Sequence, residues 1–538
     1  MRTNLVCATL FALSAATAAC EACRPSTQGP ATGATGRPTD PDRPTVRLYV
    51  VSDLAGALEP CGCVKDQKGG LDHAAAWIAE ERKRAPDAAI VSAGPLFYMD
   101  PELKADNAAQ DRAKAETLAR VLGKLGLLAF APGRNELAGG APGLEALVRA
   151  SGARMLAANV TGLPGAASTE LREFQGVKVG FVGVTALDPP AALGAQVGPA
   201  EAAVKAGVAT LKAQGANVLV LLAATGRGTA KRLADAVPEL TAIVVGSPGG
   251  SGDRNTDGPP PERVGDTLVL ETGNHLQTVG VLDLFVRDRK FTFADTTGVE
   301  RAKQRDDVAR RIDELRARIA DWERDGRVAA ADIAARKGDL AKLEAERAEL
   351  EKAPPPATGS YLRFRSVEIR EGMGQDPGTK AELSAYYKRV NDDNKARFKD
   401  RKPAKPAAGE PSYSGVEACT NCHDEPRAVW DKTAHARAYK TLADQSKEYN
   451  LDCVSCHVTG YDRPGGSTVT FVSDLENVQC EQCHGPGSLH VKEPKKVKVP
   501  VPKPAAESCA ACHHPPHVHA FDAASKMDLV LGKGHGKK

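Results

Sequence analysis

The sequence predicts a multidomain chain: an α/β sandwich over residues 45–298, an antiparallel helical hairpin over 299–353, a strand, helix and linker over 354–410, and a mostly α-helical and loop module over 411–538. Three observations predict it. Short apolar runs alternate with helical stretches through the first part. An apolar seam at heptad spacing fills the second. Four Cys-x-x-Cys-His pentapeptides fall in the last.

A chain of 538 residues with 42% hydrophobic content can build two or three cores. Its 71 basic and 68 acidic residues leave a formal charge of +3, and aromatic content is 4%, so nucleic acid is set aside as a partner. The N-terminus carries Arg2, an apolar run from Leu5 to Leu13 and small residues up to Cys20. This reads as an export signal over residues 1–23, too short to span a bilayer as a mature helix. Cys20 resembles a bacterial lipoprotein cleavage box, with Thr17 where Leu is usual, so a lipid anchor through Cys20 is expected, with plain secretion as the alternative. Pro, Gly, Thr and Ser over 24–44 then form a flexible tether.

Within 45–298, strand-like runs cover Val46–Ser52, Ala88–Ala93, Leu127–Ala131, Lys178–Val184, Asn217–Ala223, Ala242–Val245, Leu268–Glu271 and Val279–Val286. Helical segments such as Asp111–Leu125 and Ala200–Ala213 lie between them, the pattern of a sheet with helices on its faces. The region resembles the metallophosphoesterase domain of the 5'-nucleotidase family through Asp53, Glu59-Pro60-Cys61-Gly62-Cys63, Gly69-Gly70-Leu71, Gly94, Gly133 with Glu136, and Ala158-Asn159-Val160. Such enzymes hold two metal ions on Asp, Asn and His side chains, because the pair must clamp a phosphate and activate a water. Against that pattern, only Asp53 survives. Ala55, Pro95, Arg134, Asn135, Ala224, Pro248 and Gly250 stand at the other ligand or catalytic positions. The resemblance therefore implies the fold without phosphoesterase activity. Cys61 and Cys63, one residue apart, suit a tight turn, a strained disulfide or two metal ligands.

In 299–353, Val308, Ile312, Leu315, Ile319 and Trp322 form an a/d seam that Ile333, Leu340, Leu343 and Leu350 continue after Asp325-Gly326. Two antiparallel helices follow, as a rigid spacer or an oligomerisation arm. Pro354 to Pro356 stop the second helix. Tyr361–Ile369 alternates as a strand able to return to the first sheet, a polar helix runs near Thr379–Lys399, and Lys402 to Pro411 is a linker. Lys492–Pro504 mixes Lys, Val and Pro, either an extended solvated loop or a docking segment for an acidic redox partner.

The four pentapeptides are Cys419–His423, Cys453–His457, Cys480–His484 and Cys509–His513. Two thiols three residues apart, with an imidazole next in line, are what covalent attachment and axial ligation of haem c require. A zinc ribbon or a thioredoxin-like pair explains no His after the second Cys four times over. Four haem c groups are expected, bound through Cys419, Cys422, Cys453, Cys456, Cys480, Cys483, Cys509 and Cys512, with His423, His457, His484 and His513 as proximal ligands. Of the 12 histidines, only His73 and His275 lie outside this module, leaving His435, His490, His514, His517, His519 and His535 for the second axial positions. His514, beside a proximal His, suits that role least.

The segments Trp430–Tyr439, Cys453–Tyr461 and Val478–His490 resemble the tetrahaem cytochromes that accept electrons from hydroxylamine oxidoreductase, and their multihaem relatives. The resemblance implies that His435 ligates the third haem and His490 the first, that the fourth draws on His517 or His519, and that the second lacks a strong distal ligand. The function expected is electron transfer in the cell envelope between periplasmic redox proteins. The alternatives are a multihaem reductase of a small nitrogen or sulfur compound at an open haem and, behind it, a metal-dependent hydrolase.

Overall fold

The computed structural model describes residues 43–60, 67–188, 193–296, 299–325, 328–351, 356–518 and 521–535. The expectations for the export signal, Cys20, Cys61, Cys63 and His519 lie outside the described residues.

Sixteen strands are described in chain order: β1 Val46–Ser52, β2 Ala89–Gly94, β3 Leu127–Pro132, β4 Arg154–Leu156, β5 Val160–Thr161, β6 Ala166–Ala167, β7 Thr169–Phe174 and β8 Val177–Thr185, then β9 Gln196–Val197, β10 Val218–Ala224, β11 Ala242–Gly246, β12 Glu262–Val264, β13 Thr267–Leu270, β14 Thr278–Phe285, β15 Phe293–Asp295 and β16 Ser360–Glu368. They form an eight-stranded sheet, β15-β16-β14-β1-β2-β3-β4-β6, and a six-stranded sheet, β12-β13-β11-β10-β8-β7, with β5 and β9 paired separately. Both are mixed sheets: β1 runs parallel to β2 and antiparallel to β14, and β8 runs parallel to β10 and antiparallel to β7.

The two sheets face each other, which explains why the strands read as unbroken apolar runs. In β10, Val218, Val220 and Leu222 enter the core between the sheets. Leu219, Leu221 and Ala223 point the other way, into the core beneath the outer helices. Helices α1 (Leu71–Arg82), α2 (Ala108–Lys124) and α3 (Gly140–Ser151) are described next. Leu118 and Leu122 of α2 bury against Ile90 and Phe130 on the outer face of the larger sheet. Helices α4 (Ala200–Ala213) and α5 (Arg227–Ala236) cover the smaller sheet with Val204, Val208, Leu211 and Leu233. The layers run helix, sheet, sheet, helix, the α/β sandwich expected.

Arg47 on β1 lies opposite Asp283 on β14, and its guanidinium donates to that carboxylate at 2.6 and 2.8 Å and to Glu81 at 2.7 Å. Arg47 and Asp283 are 4% and 1% exposed. Burying these charges is tolerable because each is paired and hydrogen-bonded.

The hairpin helices are α6 (Val299–Asp325) and α7 (Ala330–Glu351). Ion pairs Arg316–Glu344 at 2.7 Å and Lys337–Glu323 at 2.7 Å fix their antiparallel register. Val308, Ile312 and Ile319 are buried in the seam. The chain then returns as β16, antiparallel to β14 over Thr278–Phe285, so the hairpin is an insertion between two strands of one sheet. Helix α8 (Pro377–Arg397), capped by Asp376 accepting from the Thr379 amide, adds Leu383, Tyr386 and Val390 to the larger sheet's outer core. Sheet and core thus draw on chain well beyond residue 298.

The last module is built of short helices: α9 Val416–Thr420, α10 Asp424–Trp430, α11 Ala438–Ala443, α12 Val454–His457, α13 Cys480–His484, α14 Ser488–Lys492 and α15 Ala523–Lys526. Its apolar cluster is small: Tyr439, Val454, Val458 and Val472, with Tyr461 against them. Among the described residues, no helix is long and apolar enough to cross a membrane.

Candidate haem centre

Each pentapeptide occupies one tight turn. The His423 amide donates to the Cys419 carbonyl at 3.0 Å, and the His513 amide to that of Cys509 at 2.9 Å. One helical turn places residues i, i+3 and i+4 on the same face, so both thiols and the imidazole of a motif point one way.

Three of the four motif histidines face a second imidazole. Ring centres are 6.3 Å apart for His423 and His490, 6.2 Å for His513 and His435, and 6.4 Å for His484 and His535. Metal–imidazole bonds of about 2 Å on each side, with roughly 1 Å from each nitrogen to its ring centre, require about 6 Å between centres. The residues therefore fit an iron held between each pair. Ring chemistry agrees with this. The Nδ1 of His457, His484 and His490 lies 2.6, 2.9 and 2.6 Å from the carbonyls of Ala438, Val501 and Val497. A proton on Nδ1, donated to each carbonyl, leaves Nε2 as the unprotonated ligand atom. Burial lowers the pKa of His435, His513 and His535, which favours the neutral, ligating form.

Two of these placements differ from what the resemblance implied. His435 faces the fourth motif's His513, not the third motif's His484. Its backbone does sit beside the third motif, where the Val478 amide donates to the His435 carbonyl at 3.2 Å, but its ring points toward the fourth. His484 meets His535 instead, a histidine near the end of the chain. His517, expected near the fourth motif, is shifted downward by burial and by the neighbouring charges of His514, Lys114 and His457, which locates it on the second motif's side. Among the described residues, His457 has no imidazole at the spacing of the other three. Phe521 stacks on His513 at 4.2 Å.

The motifs adjoin in an order different from the sequence. The Cys419 thiol is raised, and the Cys480 thiol lowered to about 7, by the hydrogen bond between them. Cys512 is raised and Cys456 lowered to about 6 in the same way. Cys483 is raised by burial and then by Cys509. The spatial order is therefore first, third, fourth, second. Glu481, inside the third pentapeptide and 3% exposed, ties the first two of these together. Its carboxylate accepts from the amides of Ser414 at 3.0 Å, Gly415 at 2.8 Å and Gly487 at 2.7 Å. Sequence reasoning passed over Glu481 because an acid in the gap of Cys-x-x-Cys carries no periodic signal.

The second motif rests on the α/β domain. Lys114 of α2 donates to Asp452, the residue before Cys453, at 2.9 Å. Gln110 accepts from Asn394 at 2.9 Å and from the Leu451 amide at 3.0 Å. The Tyr449 amide donates to Asn391 at 2.8 Å, and Lys447 pairs with Glu59. Gln110, Asn391, Asn394 and Asn450 are buried, and such a polar seam is stable because its members are partnered. Asn255 donates to the Pro516 carbonyl at 3.1 Å and lies 3.0 Å from His275 Nδ1, joining the segment around His517 to the region of Asp53.

Around Asp53, the phosphoesterase-like positions serve to tie loops together. Asp53 accepts from the Ser247 amide at 2.9 Å, and burial raises its carboxyl to about 7. Asn135 donates to the carbonyls of Met99 at 2.8 Å and Gly250 at 2.9 Å and accepts from the Gly250 amide at 3.0 Å. Glu136 accepts from the Leu96 and Phe97 amides at 2.7 and 3.0 Å, and burial raises it to about 7. Among the described residues, no group of three His, Cys, Asp or Glu is placed to hold a metal ion.

The family model for cytochrome c554 and c-prime matches residues 418–485. Cytochrome c-554 of Nitrosomonas europaea is 35% identical over 96 residues, which span 15% of this chain and 41% of that protein. Solved structures similar to the chain include the 5'-nucleotidase precursor of Thermus thermophilus, at 14% identity and a TM-score of 0.43, covering 82% of this chain and 73% of that one. The NAD nucleotidase of Haemophilus influenzae matches at 18% identity and a TM-score of 0.38, covering 44% and 47%. From the first attachment motif through the third, the C-terminal part of this chain is thus similar to the cytochrome c554 family.

Proposed function

We propose that the chain is an exported c-type cytochrome carrying four haem c groups on Cys419/Cys422, Cys453/Cys456, Cys480/Cys483 and Cys509/Cys512, and that it transfers electrons between redox proteins of the cell envelope. Bound haem c supplies reversible one-electron storage at iron. His423, His457, His484 and His513 are the proximal ligands; His490, His435 and His535 are the distal ligands of the first, fourth and third sites. The single observation carrying this reading is the set of three imidazole pairs at 6.2–6.4 Å, since paired imidazoles keep both axial positions filled in either oxidation state. The likeness to the cytochrome c554 family supports it. The α/β domain acts as a scaffold that seats the second motif, with Asp53, Asn135 and Glu136 closing loops where a hydrolase would bind metal. Cys20 anchors the exported chain by lipidation.

The test is the protein purified from a host that attaches haem c. Four covalent haems per chain, three of them low-spin by electron paramagnetic resonance, are expected; fewer covalent haems, or mostly high-spin irons, would refute the carrier reading. A second reading, small-molecule chemistry at the second site, is favoured by the absence, among the described residues, of an imidazole facing His457 at the spacing of the other three pairs. It requires carbon monoxide to bind one reduced iron per chain, and no binding would exclude it.

A further inference from the structure

We propose that the loop from Lys492 to Lys503 is the docking surface for an acidic one-electron redox protein, placed to serve the first and third attachment motifs. This rests on the electron-transfer reading above. Between His484 and Glu507, the sequence holds five lysines, Lys492, Lys495, Lys496, Lys498 and Lys503, against one carboxylate, Glu493. All five are exposed, and Glu493 pairs with Lys496, at 3.2 Å. A charged run on a surface is ordinarily no more than solvated. Here, however, the inner side of the same loop is fixed to two of the candidate ligands: the Val497 carbonyl lies 2.6 Å from His490 Nδ1, and the Val501 carbonyl 2.9 Å from His484 Nδ1. The positive field therefore projects from the residues that hold the imidazoles of the first and third sites.

A further observation singles out this face. Of five markedly exposed large apolar side chains among the described residues, Val491 and Val501, at 43% and 41%, flank the lysines. An apolar contact ringed by one sign of charge suits a brief encounter, in which long-range attraction raises the association rate and a small contact lets the partner leave. The opposite end of the spatial order, the second motif, is occupied by the α/β domain. The partner inferred is an acidic protein that gives or takes single electrons.

The triple variant Lys495→Glu/Lys496→Glu/Lys498→Glu tests this in the full-length, haem-loaded protein. Oxidised plastocyanin, an acidic copper protein, serves as the probe, each Cu(II) becoming Cu(I) by taking one electron from the reduced protein. The variant should react about ten-fold more slowly at low ionic strength, with the difference shrinking as salt screens the surface. Its reaction with cationic tris-phenanthroline cobalt(III) should not slow. Equal plastocyanin rates for both proteins, or equal slowing with both oxidants, would overturn the docking surface. Haem content and spin state, measured on the same samples, separate that result from failure of the electron-transfer reading.

Discussion

Lys114 of α2 and Asp452, the residue before Cys453, form a 2.9 Å ion pair across the seam between the α/β domain and the second attachment motif. The lysine side chain is 17% exposed and the carboxylate 36%, so water screens the pair in part. Lys114→Met should lower the stability of the seam by about 1–2 kcal/mol, mostly by leaving Asp452 without its donor. Calorimetry would show the C-terminal transition moving down while the α/β transition stays; an unchanged scan would count against a joined unit.

The imidazole pairs give a spectroscopic prediction. His535→Ala should convert one low-spin iron to high-spin, and His435→Ala should do the same at another site. His517→Ala should leave the number of low-spin irons unchanged. A low-spin count unaltered in His535→Ala would show that His484 has another partner.

Because the apolar cluster of the last module is small, its fold depends on what its cysteines hold. Chain produced without haem attachment should lose residues 411–538 to limited proteolysis while the sandwich survives. Equal protease resistance of loaded and unloaded protein would contradict this.

Glu136 and Asp53 set a pH dependence. Burial lifts both carboxyls to about 7, from ordinary values of 4.5 and 3.8. Between those limits the folded chain holds more protons than the unfolded one, so stability should fall as pH rises from about 4.5 to about 7 and level off above it. Glu136→Gln should flatten part of that slope in melting temperatures across the range. A slope identical to that of the parent would remove Glu136 as its source.

At the sheet, Asp283→Ala strands the Arg47 guanidinium at 4% exposure and should cost about 3–5 kcal/mol by denaturant titration. A loss below about 1 kcal/mol would mean that Glu81 alone holds Arg47.

The strands were legible because both faces of each sheet are buried: runs such as Val218–Ala224 have no polar positions to blur them. The hairpin was legible for the opposite reason, since it has a single seam and solvent elsewhere. The attachment motifs were legible because one turn contains all their chemistry. The partners of His435 and His484 were not, because each imidazole pair joins residues 78 and 51 positions apart, and only tertiary packing decides where a ring on a loop points. Gln110, Lys114 and Asn394 were equally silent: on a helix surface they look like solvated polar residues until another module covers them.

The spatial order of the motifs, first, third, fourth, second, has a consequence for assembly. A chain ending before Cys509 would keep the first and third motifs joined through Glu481, and the third tied to the segment after the second through Gln482 and the Gly460 amide, but would lack Cys512, the neighbour of Cys456. On the electron-transfer reading proposed above, the array therefore reaches its full set of neighbours only in the finished polypeptide, when its last motif is in place.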